Sequence, residues 1–255
     1  MVATVRRTLG TDRVGHLGTL DPFAAGLLVL VVGRATRLAP FASTWAKTYD
    51  GVIRLGAQTT TDDATGTPVA TSDAWRDVNR EAVERTLERF RGSYDQRPPA
   101  FSAVKVAGER AYRRARRGEA VALPPRRVEV TVLELVSYAP PDIRFRAQVS
   151  AGTYLRGLAR DVGEALGTGA HLASLTRTAV GPYGLPDAVA PEAVTPDRLR
   201  DPAELVRGLP RRELDDEARA AVLHGRAVAA GPAGQDALDE GGRVALFRAG
   251  ALVAV

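Results

Sequence analysis

Gly15-His16-Leu17-Gly18-Thr19-Leu20-Asp21-Pro22, continued by Phe23-Ala24-Ala25-Gly26 and an apolar run at 27–32, is the stretch around which the rest of the chain is organised. Its glycines, Thr19 and the Asp21-Pro22 step do not continue a helix. The segment is therefore expected to be a loop that lifts the Asp21 carboxylate to the mouth of a strand. An Asp before Pro also opens many ordinary turns, and the local pattern alone does not separate that role from a reactive one. The rest of the chain has to decide.

A chain of 255 residues, 45% hydrophobic, can bury a real core and hold one large domain with a small second one. The absence of cysteine excludes a disulfide scaffold and thiolate zinc sites, and fits a reducing compartment. His16, His171 and His224 lie far apart with no metal-ligand spacing, so no metal is expected. No basic-then-apolar leader opens the sequence, and the apolar run at 24–32 is too short to span a bilayer. The expectation is a cytoplasmic protein with no membrane partner. A net charge of +5 favours polyanionic partners, and because Lys47 and Lys105 are the two lysines, nearly all the positive charge is arginine.

Periodicity places the elements. Val2, Val5 and Leu9 repeat at helical spacing up to Gly10; 27–32 reads as a buried strand ended by Gly33, and 35–41 as a short helix or turn cut by Pro40. In the strand 47–55, Tyr49, Gly51, Ile53 and Leu55 share one face. Residues 59–71, rich in Thr and Asp with Gly66 and Pro68, read as an exposed loop, and 79–91 as an amphipathic helix stopped by Gly92. A strand at 102–106 turns at Gly108 into a helix at 109–118 carrying Arg110, Arg113, Arg114, Arg116 and Arg117 around Tyr112. Such a run is either a solvated face or a grip on a phosphate backbone. Strands follow at 128–135 and 143–149. Then Leu155, Leu158, Ala159, Val162 and Leu166 form one helical stripe, with Thr153 placed as N-cap, Gly167 as stop, and Arg156 off the stripe at the edge of the core. A short element begins at 171–175, and prolines mark 182–202 as a connection. A helix around 218–223 and strands at 243–248 and 251–255 close a tail too small for a secure core of its own.

The Asp21 loop resembles the active-site loop of the TruB family of tRNA pseudouridine synthases, and the similarity recurs in order. Lys47-Thr48-Tyr49 with Arg54-Leu55-Gly56, the Thr/Asp loop 59–66, Pro98-Pro99-Ala100-Phe101-Ser102-Ala103-Val104-Lys105, Tyr112 with Ala115-Arg116 and Gly118, Gly152-Thr153-Tyr154-Leu155-Arg156, and Gly169-Ala170-His171 through Leu175 and Arg177 each resemble a family block. The resemblance implies an α+β pseudouridine synthase fold: a mixed, largely antiparallel central sheet flanked by helices. It implies a catalytic domain over 1–208 and a small C-terminal RNA-binding (PUA-like) β-module over 209–255. The family's opening strand, with its Lys-Pro-x-Gly-x-Thr-Ser segment, is expected ahead of Met1, and a further strand after Val255. Where the family usually carries two arginines, this chain has Thr176-Arg177, which weakens one expected basic contact.

The implied activity is isomerisation of a uridine in the tRNA T-loop, at position 55, to pseudouridine by a monomer with no cofactor or metal. Breaking an N-glycosidic bond creates positive character at the anomeric carbon, which a carboxylate can stabilise or attack. By resemblance that carboxylate is Asp21, with Arg156 as the guanidinium that keeps it an anion in a partly closed pocket. Tyr49 would stack on the extruded uracil and serve in proton transfer, and His16 would fill the gap left by the flipped base. Tyr154 and Leu175 would line the uracil pocket; Lys105, Tyr112 and Arg116 would contact RNA. Two other readings stay open: a tRNA-binding folding helper with incidental or lost catalysis, and a glycoside hydrolase, for which no partner carboxylate occupies a comparable loop.

Overall fold

The computed structural model describes residues 1–102, 104–106, 108–119, 123–228 and 242–255, apart from the side chains of Lys105 and Val106. In chain order the elements are α1 (Val2–Leu9), β1 (Val14–His16), β2 (Ala25–Gly26), β3 (Leu30–Val32), α2 (Ala39–Ala42), β4 (Lys47–Leu55), β5 (Ala57–Thr59), β6 (Pro68–Thr71), α3 (Arg80–Arg89) and β7 (Gly92–Gln96). They continue with β8 (Lys105–Val106), β9 (Glu109–Arg110), α4 (Ala111–Arg116), β10 (Arg126–Ala139), β11 (Asp142–Val149), α5 (Leu155–Ala165), β12 (Ala170–Val180) and β13 (Tyr183–Gly184). Last come β14 (Arg211–Glu213), α6 (Asp216–Leu223), β15 (Ala245–Arg248) and β16 (Ala251–Ala254). Contacts group them into two units: Met1–Leu17, Leu30–Ser43 and Val189–Val255 in one, Gly18–Val29 and Thr44–Ala188 in the other.

The larger unit is built on one sheet in the order β13-β12-β4-β11-β10-β7, every neighbour antiparallel, with β2 added parallel to β12. Alternation sends Tyr49, Gly51, Ile53 and Leu55 of β4 to the same buried face as Ile143, Phe145, Ala147 and Val149 of β11. Against that face lie α3 and α5, the latter contributing Leu155, Leu158, Ala159 and Val162. Each large aliphatic side chain buried there contributes roughly 1.5–3 kcal/mol. Gly51 is required by packing: a Cβ there would sit 2.7 Å from Phe145 Cζ and 3.1 Å from the Ser174 carbonyl oxygen.

One polar residue fastens the helix to the sheet. Gln96 is fully buried at the end of β7, where its amide oxygen accepts from Tyr154 N at 2.9 Å and its amide nitrogen donates to Tyr154 O at 3.1 Å and Tyr94 Oη at 2.6 Å. This replaces the expected Thr153 cap: Tyr154 is the N-cap residue, with no side-chain cap bond of its own. A residue 58 positions away takes the N-cap N–H, which in a capping box goes to a local side chain at N3.

The smaller unit pairs β1 with β3 antiparallel and packs α1 against β1. Its three-stranded sheet runs β14-β15-β16, with β14 parallel to β15. Val206, Ala245 and Phe247 are buried there with Leu38, Phe41, Leu209 and Leu252.

Several expectations change. The run 27–32 is not one strand, because hydrogen bonding divides it: β2 ends at Gly26 on β12, and β3 begins at Leu30 on β1. Pro40 does not cut the next segment; it sits in the first turn of α2, after a 3₁₀ helix over Gly33–Leu38, where its missing N–H costs nothing. Among the described residues of the strand expected at 102–106, β8 pairs with β9, which trims the arginine-rich helix to α4. The short element at 171–175 is part of an eleven-residue strand, β12, beside the central β4. Residues 59–71 are not simply an exposed loop, since Thr59 and Asp63 are buried.

Gly51→Ala should overpack the sheet against Phe145 and cost about 1–3 kcal/mol. Urea unfolding monitored by circular dichroism would register this as a lower midpoint at unchanged slope.

Candidate active site

Asp21 heads a tight turn, its carbonyl accepting from Ala24 N at 3.0 Å with Pro22 at the second position, so the ordinary turn role and a half-buried carboxylate that still meets solvent coexist in one residue. The turn is anchored beyond Asp21. Phe23 and Ala24 pack on the core, and Gly26 pairs with Arg177 so closely that a Cβ would lie 2.3 Å from the Arg177 carbonyl oxygen, at a φ of +104°.

Arg156, in the first turn of α5, forks onto the carboxylate: Nε donates to Asp21 Oδ2 at 3.0 Å and Nη2 to Oδ1 at 2.9 Å. The two side chains differ in exposure, 5% for Arg156 and 28% for Asp21. The guanidinium is thus buried behind a carboxylate that meets solvent, a correction to its expected place at the core's edge. Nη1 donates to Thr61 O and Nη2 to Phe101 O, each at 3.0 Å. A second carboxylate, Asp63, brings Oδ2 to 3.7 Å from Nε. Asp63 is itself held by donors: Thr61 Oγ1, Thr65 N and Thr65 Oγ1 bond Oδ1 at 2.7, 2.9 and 2.6 Å. Backbone bonds from Leu172 N to Asp62 O and from Ala64 N to Leu172 O tie this loop to β12. Each nitrogen of the guanidinium therefore has an acceptor, the condition under which a buried cation is tolerated.

Tyr49 lies on β4 opposite Arg177 of β12. Burial pushes its hydroxyl above the ordinary phenol range; the Arg177 guanidinium works the other way, and the nearby Asp21 carboxylate adds to the rise. The phenol therefore stays protonated at neutral pH. Arg177 is 1% exposed, and its Nε donates to Leu27 O at 2.7 Å, Nη2 to Gly18 O at 3.3 Å and Nη1 to Thr19 O at 3.4 Å. It clamps the Asp21 loop at both ends. Lys47, also buried on β4, donates to Trp45 O at 2.6 Å; burial first and the Arg177 charge second push its ammonium below the ordinary lysine range.

The structure thus gathers Asp21, Tyr49 and Arg156. Leu175 is buried on β12 opposite Gly51, one inward position from Arg177, and half-buried Tyr154 caps α5 while packing against Val104, Ala111 and Leu123. Tyr112 lies on α4 with the Arg116 guanidinium 5.6 Å above its ring. His16 is exposed on β1, in the other unit, and the Lys105 side chain is outside the described residues. Arg177, Asp63 and Gln96 were not singled out for these places by pattern. A signal existed for two of them: alternation from Leu175 points Arg177 inward, and Thr61-x-Asp63-x-Thr65 is a spacing in which hydroxyls can converge on one carboxylate. A groove of about 540 Å³ at the other end of α5, lined by Thr86, Arg85, Arg89 and Leu166 among others, contains none of the Asp21 group. Among the described residues no cluster of His, Asp and Glu could hold a metal, and no helix is long and apolar enough to cross a membrane.

Residues 6–155 match the model of the TruB family pseudouridylate synthase N-terminal domain, and residues 156–215 that of the tRNA pseudouridylate synthase B C-terminal domain. The tRNA pseudouridine synthase B of Parasynechococcus marenigrum (strain WH8102) is 45% identical over 241 residues, covering 93% of this chain and 82% of that one. That of Geobacillus kaustophilus (strain HTA426) is 41% identical over 261 residues, covering 97% and 90%. A solved chain from a Cbf5-Nop10-Gar1 complex superposes with a TM-score of 0.68 at 25% identity, over 98% of this chain and 71% of that one. One from an H/ACA RNP bound to a substrate RNA containing 2'-deoxyuridine gives 0.70 at 24% identity, over 99% and 71%, and shares the fold. The chain belongs to the TruB family of pseudouridylate synthases. It is an enzyme of the isomerase class.

Arg177→Lys keeps the charge but cannot fork to three carbonyls, and should lower stability by about 2–4 kcal/mol, read from a denaturant midpoint. Asp63→Asn retains an oxygen for the Thr65 donors but turns an amide toward Arg156. It should cost about 1–3 kcal/mol, and hydrogen exchange should quicken at the Asp62–Leu172 backbone bonds more than in β11.

Proposed function

We propose that this chain isomerises a uridine in the T-loop of tRNA, at position 55, to pseudouridine, with Asp21 as the catalytic carboxylate. The observation that carries the reading is the two-pronged Arg156–Asp21 bond, made across 135 residues of sequence, at a carboxylate whose charge also reaches the Tyr49 hydroxyl. The matched relatives named tRNA pseudouridine synthase B support tRNA as the substrate.

The target uridine leaves its loop, the N1–C1′ bond breaks, the uracil turns, and C5 bonds to C1′ as the C5 proton is lost and N1 gains one. Asp21 supplies negative charge to the electron-poor sugar carbon. Arg156 fixes the orientation of that carboxylate, which stabilises developing positive charge without reorganisation during the reaction. Tyr49 offers a ring to stack on the uracil and a protonated hydroxyl for the proton relay. Leu175 and Tyr154 wall the base. His16 occupies the vacated stack, and Lys105, Tyr112 and Arg116 grip the T-arm backbone. Residues 1–208 act as the catalytic domain and 209–255 as a small RNA-binding module of PUA-like kind, in a cytoplasmic monomer. The basic helix α4 favours one rival, a tRNA folding helper in which isomerisation is incidental.

Incubation of an unmodified tRNA transcript with wild type, Asp21→Asn and Tyr49→Phe separates them. Pseudouridine should form at position 55 with the wild-type chain. It should fall about 10³-fold or more with Asp21→Asn and roughly 10²–10⁴-fold with Tyr49→Phe, while transcript binding stays within about threefold. Full turnover by Asp21→Asn would remove that residue from the chemistry. A wild-type chain that binds and refolds the transcript without isomerising it would favour the helper.

A further inference from the structure

We infer that an arginine ridge on the smaller unit, formed by Arg6, Arg13, Arg34 and Arg37, is a docking surface for the phosphate backbone of an RNA duplex. The segments Met1–Leu17 and Leu30–Ser43 contain five arginines, these four and Arg7, against one carboxylate, Asp12. The fold brings the segments that carry four of them together. The Arg6 guanidinium reaches from α1 to Val14 O at 3.3 Å, which sets it beside Arg13. Arg13 O accepts from Gly33 N at 2.7 Å, so Arg34 follows at the next position along. Arg34 and Arg37 are three apart in the 3₁₀ helix Gly33–Leu38, a geometry that eclipses side chains on one face. All four are exposed, while Val14 and Val31 beneath them are buried.

Among the described residues, acidic groups on neighbouring elements form no ion pair with the ridge arginines. Glu204, on the turn packed against Gly33–Leu38, is engaged by Arg200 and Arg207. Glu192, on the turn against α1, and Asp12 form no ion pair with these arginines among the described residues. Elsewhere the exposed arginines often have carboxylates: Arg54 pairs with Asp142, Arg146 with Asp50, Arg80 with Glu84 and Arg248 with Asp216. Guanidinium groups set side by side without counter-charge repel one another, a cost that a polyanion spanning them reverses. Phosphates spaced along a helical strand suit such a row, because each arginine can fork onto a separate phosphate and release its counterions. The occupant is a backbone and not a base, since the ridge carries no aromatic ring.

This surface rests on the reading of an RNA substrate, and the test keeps the two apart. The full chain is compared with Arg34→Gln/Arg37→Gln, with Arg6→Gln/Arg13→Gln, and with Arg54→Gln/Arg146→Gln, which removes the same charge from paired sites. Binding of an unmodified tRNA transcript is followed across a salt series, and isomerisation is followed in single turnover. Each ridge double variant should flatten the plot of log affinity against log salt by about 2 and weaken binding roughly tenfold at low salt. The half-saturating enzyme concentration should rise with it, while the saturated rate stays within about twofold. The paired-site control should move the slope by less than half as much. A ridge variant with the wild-type slope, or a control that flattens it equally, overturns the proposal. If no pseudouridine forms with any chain but the ridge variants still flatten the slope, the surface stands and the catalytic reading falls.

Discussion

A guanidinium with almost no access to water has to find all its partners inside the protein, and the larger unit is arranged so that Arg156 does. Two carboxylates and two carbonyls surround it, drawn from the Asp21 turn, the Thr/Asp loop and the segment before β8. Removing one partner leaves a buried charge partly unmatched, which costs more than the lost bond itself. The arrangement therefore behaves as a unit: the loop that presents Asp21, the loop that holds Asp63 and the start of α5 are stable together. Of the two carboxylates, the one with donors already filling an oxygen is buried, and the one left open is Asp21.

A second buried arginine does a different job. Arg177 holds main-chain carbonyls on either side of the Asp21 turn, so that the turn is a fixed feature of the sheet edge although only two of its residues are in a strand. Its charge also lies beside the Tyr49 phenol, opposing the effect of burial there. One side chain thereby couples loop position to the electrostatics of the neighbouring tyrosine. Arginine suits this place because its planar fork reaches several acceptors while remaining charged, which a buried lysine does not guarantee.

Much of the site was legible from sequence, for identifiable reasons. Strict alternation in 47–55 and the helical stripe from Leu155 gave the inward faces that carry Tyr49 and bracket Arg156, and the Gly-rich stretch gave the turn at Asp21. What pattern could not supply were partners chosen from far away. The apolar run at 27–32 has no period, so nothing in it marks where pairing passes from β12 to β1. Gln96 reads as a polar strand end until Tyr154 is beside it. Arg177 reads by resemblance as a basic contact and Asp63 as part of an exposed Thr/Asp loop; the network that permits their burial is tertiary.

The order of strands in the sheet has a consequence for synthesis. β4 is flanked by β11 and β12, and Asp21 meets its guanidinium only when a segment 135 residues downstream has been made. A ribosome that has released the first hundred residues has emitted Asp21, Tyr49 and the whole Thr/Asp hairpin, yet neither Arg156 nor Arg177. Such non-local pairings form slowly and late. The bond that orients the Asp21 carboxylate therefore belongs to the later part of elongation, after residue 156 has left the ribosome.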